Sequence, residues 1–162
     1  MPDTKLRSAD ALALLQQDHD QLRDLFRGYQ QLGDDPRPSK QELFELIRRT
    51  LAVHAVVEED VFYPAVEHAP DRGAAKMVAE ARKEHRILKS LLAELGALTP
   101  DDESYDTRMD VLRETVEHHA EEEEQRLFPA FHRLPADVRD DVSDRLRTRK
   151  SQMAALMDPE GP

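Results

Sequence analysis

The stretch His54 to Pro64, HAVVEEDVFYP, returns without gaps at His119 to Pro129 as HAEEEEQRLFP, and the fold turns on that recurrence. Histidine, alanine, two glutamates and proline coincide, and an aromatic residue stands one or two places before each proline. From 54 to 119 is a step of 65 residues, and from His19 to His85 a step of 66, so the repeating unit is two helices long. A unit of that kind used twice predicts four helices around an internal pseudo-twofold, with equivalent residues on opposite sides of one centre.

Around these segments apolar residues recur at steps of three and four, the helical period, and no segment alternates with period two. The first helix is expected from about Ala9 to Leu32, ending at Gly33 in the turn GDDPRPS. The second opens with Ser39 as N-cap and Glu42 three residues on, a capping box, and runs to about His68, with Pro64 expected to kink or end it. The third spans about Ala74 to Leu98, the fourth about Ser104 to Phe131 with Pro129 near its end, and the fifth about Pro135 to Met157, before a non-helical DPEGP tail. Short loops between long helices make antiparallel neighbours. The expected fold class is therefore all-α, an up-down-up-down four-helix bundle over residues 1–134 with an additional C-terminal helix and tail over 135–162.

Composition agrees and excludes several functions. A chain of 162 residues is one domain's length. Thirty-four acidic against 23 basic residues leave a net charge of −11, which repels a phosphate backbone, so no nucleic-acid partner is expected. The absence of cysteine removes disulfides, thiolate zinc sites and iron–sulfur clusters together, leaving nitrogen and oxygen as metal donors. No apolar run reaches signal-peptide or membrane-spanning length, so a cytoplasmic protein without a membrane partner is expected.

Each helical seam is interrupted by polar residues. The first reads Leu12, Leu15, His19, Leu22, Phe26, Tyr29, and the third Val78, Ala81, His85, Leu88, Leu92, Leu95. On the second, His54 and Glu58 stand between Leu51 and Val61; on the fourth, His119 and Glu123 stand between Val116 and Leu127. A spacing of four places each His over its Glu on one helical face, with Cβ atoms about 5–6 Å apart. One histidine on an apolar seam is more often a satisfied core residue than a ligand. Six such groups in four helices are different, because each buried charge or lone pair costs several kcal/mol without a partner. Two divalent cations compensate all six, in a dinuclear site with near-symmetric halves.

The remaining polar features read more plainly. His68, His118 and His132 fall off the seams and are expected on the surface. Glu121 and Glu122 belong to a solvated face, whereas Glu59 and Glu124 occupy matching repeat positions and are candidates to support the ligands from behind. Arg145, Arg147, Arg149 and Lys150 read as the solvent face of the fifth helix.

Single histidines on helices one and three, with H-x-x-x-E on helices two and four followed by Tyr-Pro or Phe-Pro, resemble the hemerythrin-like HHE cation-binding family over about Leu12 to Phe131. The order His then Glu separates the pattern from ferritin-like bundles, whose Glu-x-x-His pairs have spacing three. The resemblance implies two iron ions in a non-haem di-iron centre with a bridging water, hydroxide or oxo group. In it His19, His54, His85 and His119 are terminal ligands and Glu58 and Glu123 bridge. It also implies open coordination positions for a diatomic or peroxide ligand. Two departures argue against reversible oxygen carriage. The oxygen carriers have a fifth histidine four residues from the ligand on helix three, where this chain has Ala81 and Lys89, and an aspartate at longer spacing where it has Glu123. Three functions stay open: binding or sensing of O2 or NO, turnover of peroxide or a small nitrogen or oxygen species, and a non-catalytic iron or zinc site that stabilises the bundle. No protein partner is legible.

Overall fold

In the computed structural model residues 10–33 and 37–157 are described, and helices make up nearly all of them, with no strand. Helix α1 (Ala11–Leu32) is followed by α2 (Arg37–Val57), a π-helical turn over Glu58–Phe62, and α3 (Tyr63–Glu67). Then come α4 (Ala74–Gly96), α5 (Tyr105–Glu122), a second π-helical turn over Glu123–Leu127, α6 (Phe128–His132) and α7 (Ala136–Met157). The segments α2 to α3 and α5 to α6 act as two continuous rods. With α1 and α4 they form the helical bundle, and α7 is the extra helix.

Local chemistry explains the ends. Asp10 caps α1, its carboxylate accepting from the Ala13 N–H at 2.8 Å, and Gly33 closes the helix at φ 59°, where a side chain would be strained. Helix α2 begins at Arg37, two residues before the expected cap, so Ser39 lies inside its first turn. Pro38 does not prevent the earlier start, since an N–H in the first turn has no intrahelical partner to lose. The tail DPEGP, residues 158–162, lies outside the described residues.

Pro64 and Pro129 neither end nor simply kink their helices. In an α-helical register the ring of Pro64 would press on the carbonyl four residues back. Instead the Tyr63 N–H reaches five residues back to the Glu58 carbonyl, and the Phe128 N–H likewise to that of Glu123. The widened turn adds a residue and rotates everything after it. Tyr63 and Val66 are fully buried while Ala65, expected on the seam, is only partly so.

Two apolar clusters fill the interior. One gathers Leu15, Val57, Phe62, Val78, Phe131 and Leu146; the other gathers Leu22, Phe26, Ile47, Leu88, Leu112 and Val116. The six polar seam residues lie between them along every helix. Helix α7 buries Val142 and Leu146 against the bundle, and Ser143 accepts the Ala11 N–H at 2.9 Å. Val138, expected on that seam, is exposed.

Candidate metal centre

All six seam residues converge. His19, His54, Glu58, His85, His119 and Glu123 are each 0–3% exposed. They form two groups, His19 with His54 and His85 with His119, each completed by both glutamates, with donor atoms within 4.8 Å of one another. A cation with bonds of about 2.1 Å holds opposite ligands about 4.2 Å apart, so sub-ångström side-chain movement suffices to close around one. His19 Nε2 lies 3.0 Å from Glu123 Oε1, His85 Nε2 3.0 Å from Glu58 Oε1, and His119 Nε2 3.3 Å from Glu123 Oε2.

Behind each imidazole stands a carboxylate. The Nδ1 atom of His19 is 2.8 Å from Glu124, that of His85 2.8 Å from Glu59, that of His54 2.9 Å from Asp18, and that of His119 2.9 Å from Glu84. These contacts commit Nδ1–H to donation and aim Nε2 of each ring inward, the arrangement that orients histidines on metals. Glu59 and Glu124 thus fill the supporting role expected of them. Asp18 and Glu84 were not singled out, although each immediately precedes a single histidine, as Glu59 and Glu124 immediately follow the core glutamates. His68, His118 and His132 are exposed, as expected.

The donor set fits a cation. His85 Nε2 and His119 Nε2 face each other at 3.1 Å, a separation that two lone pairs tolerate only with positive charge between them. His54 Nε2 and Glu58 Oε2 are buried without a hydrogen-bond partner; the 3.1 Å contact from His54 to Glu58 Oε1 has ion-pair distance but not hydrogen-bond geometry. Protons respond to the same field. Burial would depress His54, but the negative charge of Glu58, the hydrogen bond to Asp18 and the nearby Glu123 carboxylate hold it well above the usual imidazole value. His119 is raised in the same way against burial, by Glu123, Glu58 and Glu84. Glu123 is held well below the usual carboxylate value, as His119, Glu58 and His19 outweigh its burial.

Two features break the pseudo-twofold. Tyr63 points its hydroxyl into the centre, 2.6 Å from Glu123 Oε2 and 3.0 Å from His85 Nε2. Burial, then the Glu123 and Glu58 charges, push its phenol well above the ordinary value, so it remains a donor. Its repeat mate, Phe128, stacks on His19 with the rings 6.0 Å apart. The second feature is α7. Lys150 lies 2.7 Å from Asp18, and Arg149 reaches Asp60 at 3.0 Å, so two of the four cations assigned to a solvent face instead tie α7 to the bundle. Asp18 is lowered in pKa because His54 and Lys150 outweigh its burial.

This asymmetry has a measurable consequence. Asp18→Ala is expected to weaken the group containing His54 by about 10–100-fold in metal affinity and to leave the other tight. A chelator-competition titration resolves the two steps, and equal weakening of both would refute a role for Asp18 in orienting His54.

Fold and site together define a helical bundle with a buried histidine–carboxylate cluster that could hold a metal. The model of the hemerythrin HHE cation-binding domain matches residues 10–158, and the chain belongs to that family. An uncharacterized protein of Mycobacterium tuberculosis is 28% identical over 149 residues, covering 89% of this chain and 87% of the relative. A DNA nickase of a Nostoc species is 32% identical over 119 residues, 73% of this chain but only 32% of the nickase. The crystal structure of an HHE cation-binding domain-containing protein from Mycobacterium kansasii superposes with a TM-score of 0.78 at 23% identity, covering 95% of both chains, which shows the shared fold. No helix among the described residues is long and apolar enough to cross a membrane.

Proposed function

We propose that the chain holds a non-haem di-iron centre that binds or reacts with small oxidants: O2, hydrogen peroxide or NO. The observation that carries this is the pair of four-residue groups sharing Glu58 and Glu123. His19 and His54 would hold one ion, His85 and His119 the other, with both glutamates common to the two. Iron held by imidazole and carboxylate with positions left over supplies redox chemistry and a Lewis-acid site for a diatomic or peroxide ligand.

The protein's part is positioning and exclusion. Asp18, Glu59, Glu84 and Glu124 fix the four rings, and the apolar clusters on either side leave the six candidate ligands 0–3% exposed. Tyr63 offers a proton donor on one half of the centre only. A cavity of about 30 Å³ bordered by Ala81, Glu84 and Glu123 has room for one water-sized molecule.

Anaerobic reconstitution with Fe(II), followed by optical titration with O2, hydrogen peroxide and NO, tests the reading. Two irons per chain and a spectral response to at least one of the three are expected. A chain that takes up no iron, or that takes it up and responds to none, overturns it.

A further inference from the structure

Between α2 and α4 a second, larger cavity of about 450 Å³ leads from exposed Lys89 to His54, His85 and His119. Its walls are aliphatic, with Leu51, Ala52, Val56, Leu88, Leu92 and Ala93 among them. The volume falls within the roughly 300–1,000 Å³ typical of organic ligand sites and far exceeds the roughly 30 Å³ that one water occupies. From His85 to Gly96 the wall follows α4 for eleven residues, about 16 Å of helical rise. Gly96, at the outer end of that wall, is exposed, and a Cβ built there meets nothing within 4 Å.

The internal repeat supplies a comparison within the same chain. The equivalent face lies between α1 and α5. There Arg23 binds Glu117 at 3.0 Å and Glu124 at 3.0 Å, closing the way to the centre. Its cavity measures about 240 Å³ and touches none of the six candidate ligands. On the open face Ala52 replaces Glu117, Leu92 replaces Phe26, Ala93 replaces Arg27 and Gly96 replaces Gln30. Polar and bulky residues have given way to small or aliphatic ones at four matched positions. Packing alone does not call for that pattern, since the space is left unfilled.

Charge narrows the occupant. Apart from the histidines, the charged residues of the lining are Arg48 and Lys89, both cations, in a chain of net charge −11. They sit on opposite walls. Each holds an exposed ion pair, Arg48 to Glu45 at 2.9 Å and Lys89 to Glu59 at 3.4 Å, of the kind that contributes little and is readily exchanged. We propose that this cavity binds an unbranched aliphatic acid, its carboxylate at Arg48 and Lys89 and its chain along Leu51, Leu88 and Leu92. The walls that hold the chain are protein atoms, so the binding does not depend on iron.

Calorimetric titration of the purified protein with straight-chain carboxylates from butanoate to decanoate tests this. Affinity is expected to rise about three- to four-fold per added methylene. Ala52→Leu and, independently, Ala52→Phe, at a half-buried position of the wall, narrow the cavity and are expected to flatten that series while leaving metal uptake unchanged. Arg48→Gln with Lys89→Gln is expected to weaken octanoate at least ten-fold and to leave octanol unaffected. A wild-type affinity independent of chain length overturns the proposal, as does undiminished octanoate binding in a folded Ala52→Leu or Ala52→Phe protein. A protein that loads no iron but shows the chain-length series refutes the di-iron reading and upholds this one; iron loading with a flat series does the reverse.

Discussion

Glu58→Ala is expected to empty both candidate metal positions, whereas His19→Ala is expected to empty one. The difference follows from sharing: Glu58 and Glu123 belong to both groups of candidate ligands, and each histidine to one. Removing Glu58 also takes away a carboxylate within 3.0–3.5 Å of His54, His85 and His119, leaving three buried rings in a centre arranged around negative charge. Breaking a buried charge pair from one side costs about 3–5 kcal/mol. For a chain of this size that corresponds to a melting temperature lower by roughly 6–20 °C. Metal analysis after gel filtration reads the stoichiometry, and thermal unfolding reads the loss. Equal metal content in the Glu58→Ala and His19→Ala proteins would show that the glutamate is not shared, and the dinuclear arrangement would fall.

The same residues show what the sequence reveals and what it hides. The repeat HAVVEEDVFYP and HAEEEEQRLFP, together with the interrupted seams, suffices for the bundle and for bringing six polar residues to one level, because each seam is a local periodicity and the candidate ligands lie on its α-helical part or at the first residue of the π-turn. Tyr63 was hidden by a backbone event. The extra residue of the π-turn, imposed by the proline that follows, rotates Tyr63 inward, and extending the α-helical period past Glu58 assigns that place to Ala65. Asp18 and Glu84 were hidden differently. They sit beside single histidines, off the apolar face, and only the crossing of helices brings Asp18 of α1 to His54 of α2 and Glu84 of α4 to His119 of α5. The acid-then-His pairs Asp18-His19 and Glu84-His85 were visible as spacing; their partners on other helices were not. The fifth helix was legible as amphipathic, but its docking through Ser143, Arg149 and Lys150 rests on long-range contacts that a one-helix pattern does not encode.

Removing the metal is expected to make stability depend on pH where the loaded protein's does not. In the metal-free chain, positive charge in the centre is supplied by protons. His54 faces Asp18 from α1, Glu58 from its own rod and Glu123 from the opposite rod; His119 faces Glu84 from α4, Glu58 and Glu123. Both imidazoles are raised above the ordinary value of 6.5. A folded-state value above the unfolded one gives stability that is complete below pH 6.5 and is lost as pH rises through the folded value. Glu123 has the opposite sign. Its value is lowered from 4.5, so its contribution is complete above that pH and is lost as pH falls through the folded value. The metal-free protein is therefore most stable between the two limbs, and on the alkaline side loses up to about 1.4 kcal/mol per pH unit for each proton released. Metal binding requires neutral imidazoles, so a bound cation takes the protons' place and the alkaline limb disappears. Urea unfolding of chelator-treated and metal-loaded protein between pH 7.5 and pH 9.5, above the range in which unfolded histidines bind protons and below the ordinary lysine and tyrosine range, separates the cases. Diverging curves, with the metal-free protein falling and the loaded protein level, are expected. Parallel curves would mean that His54 and His119 do not give up protons to a cation, and the six-residue centre would lose its claim to be a metal site.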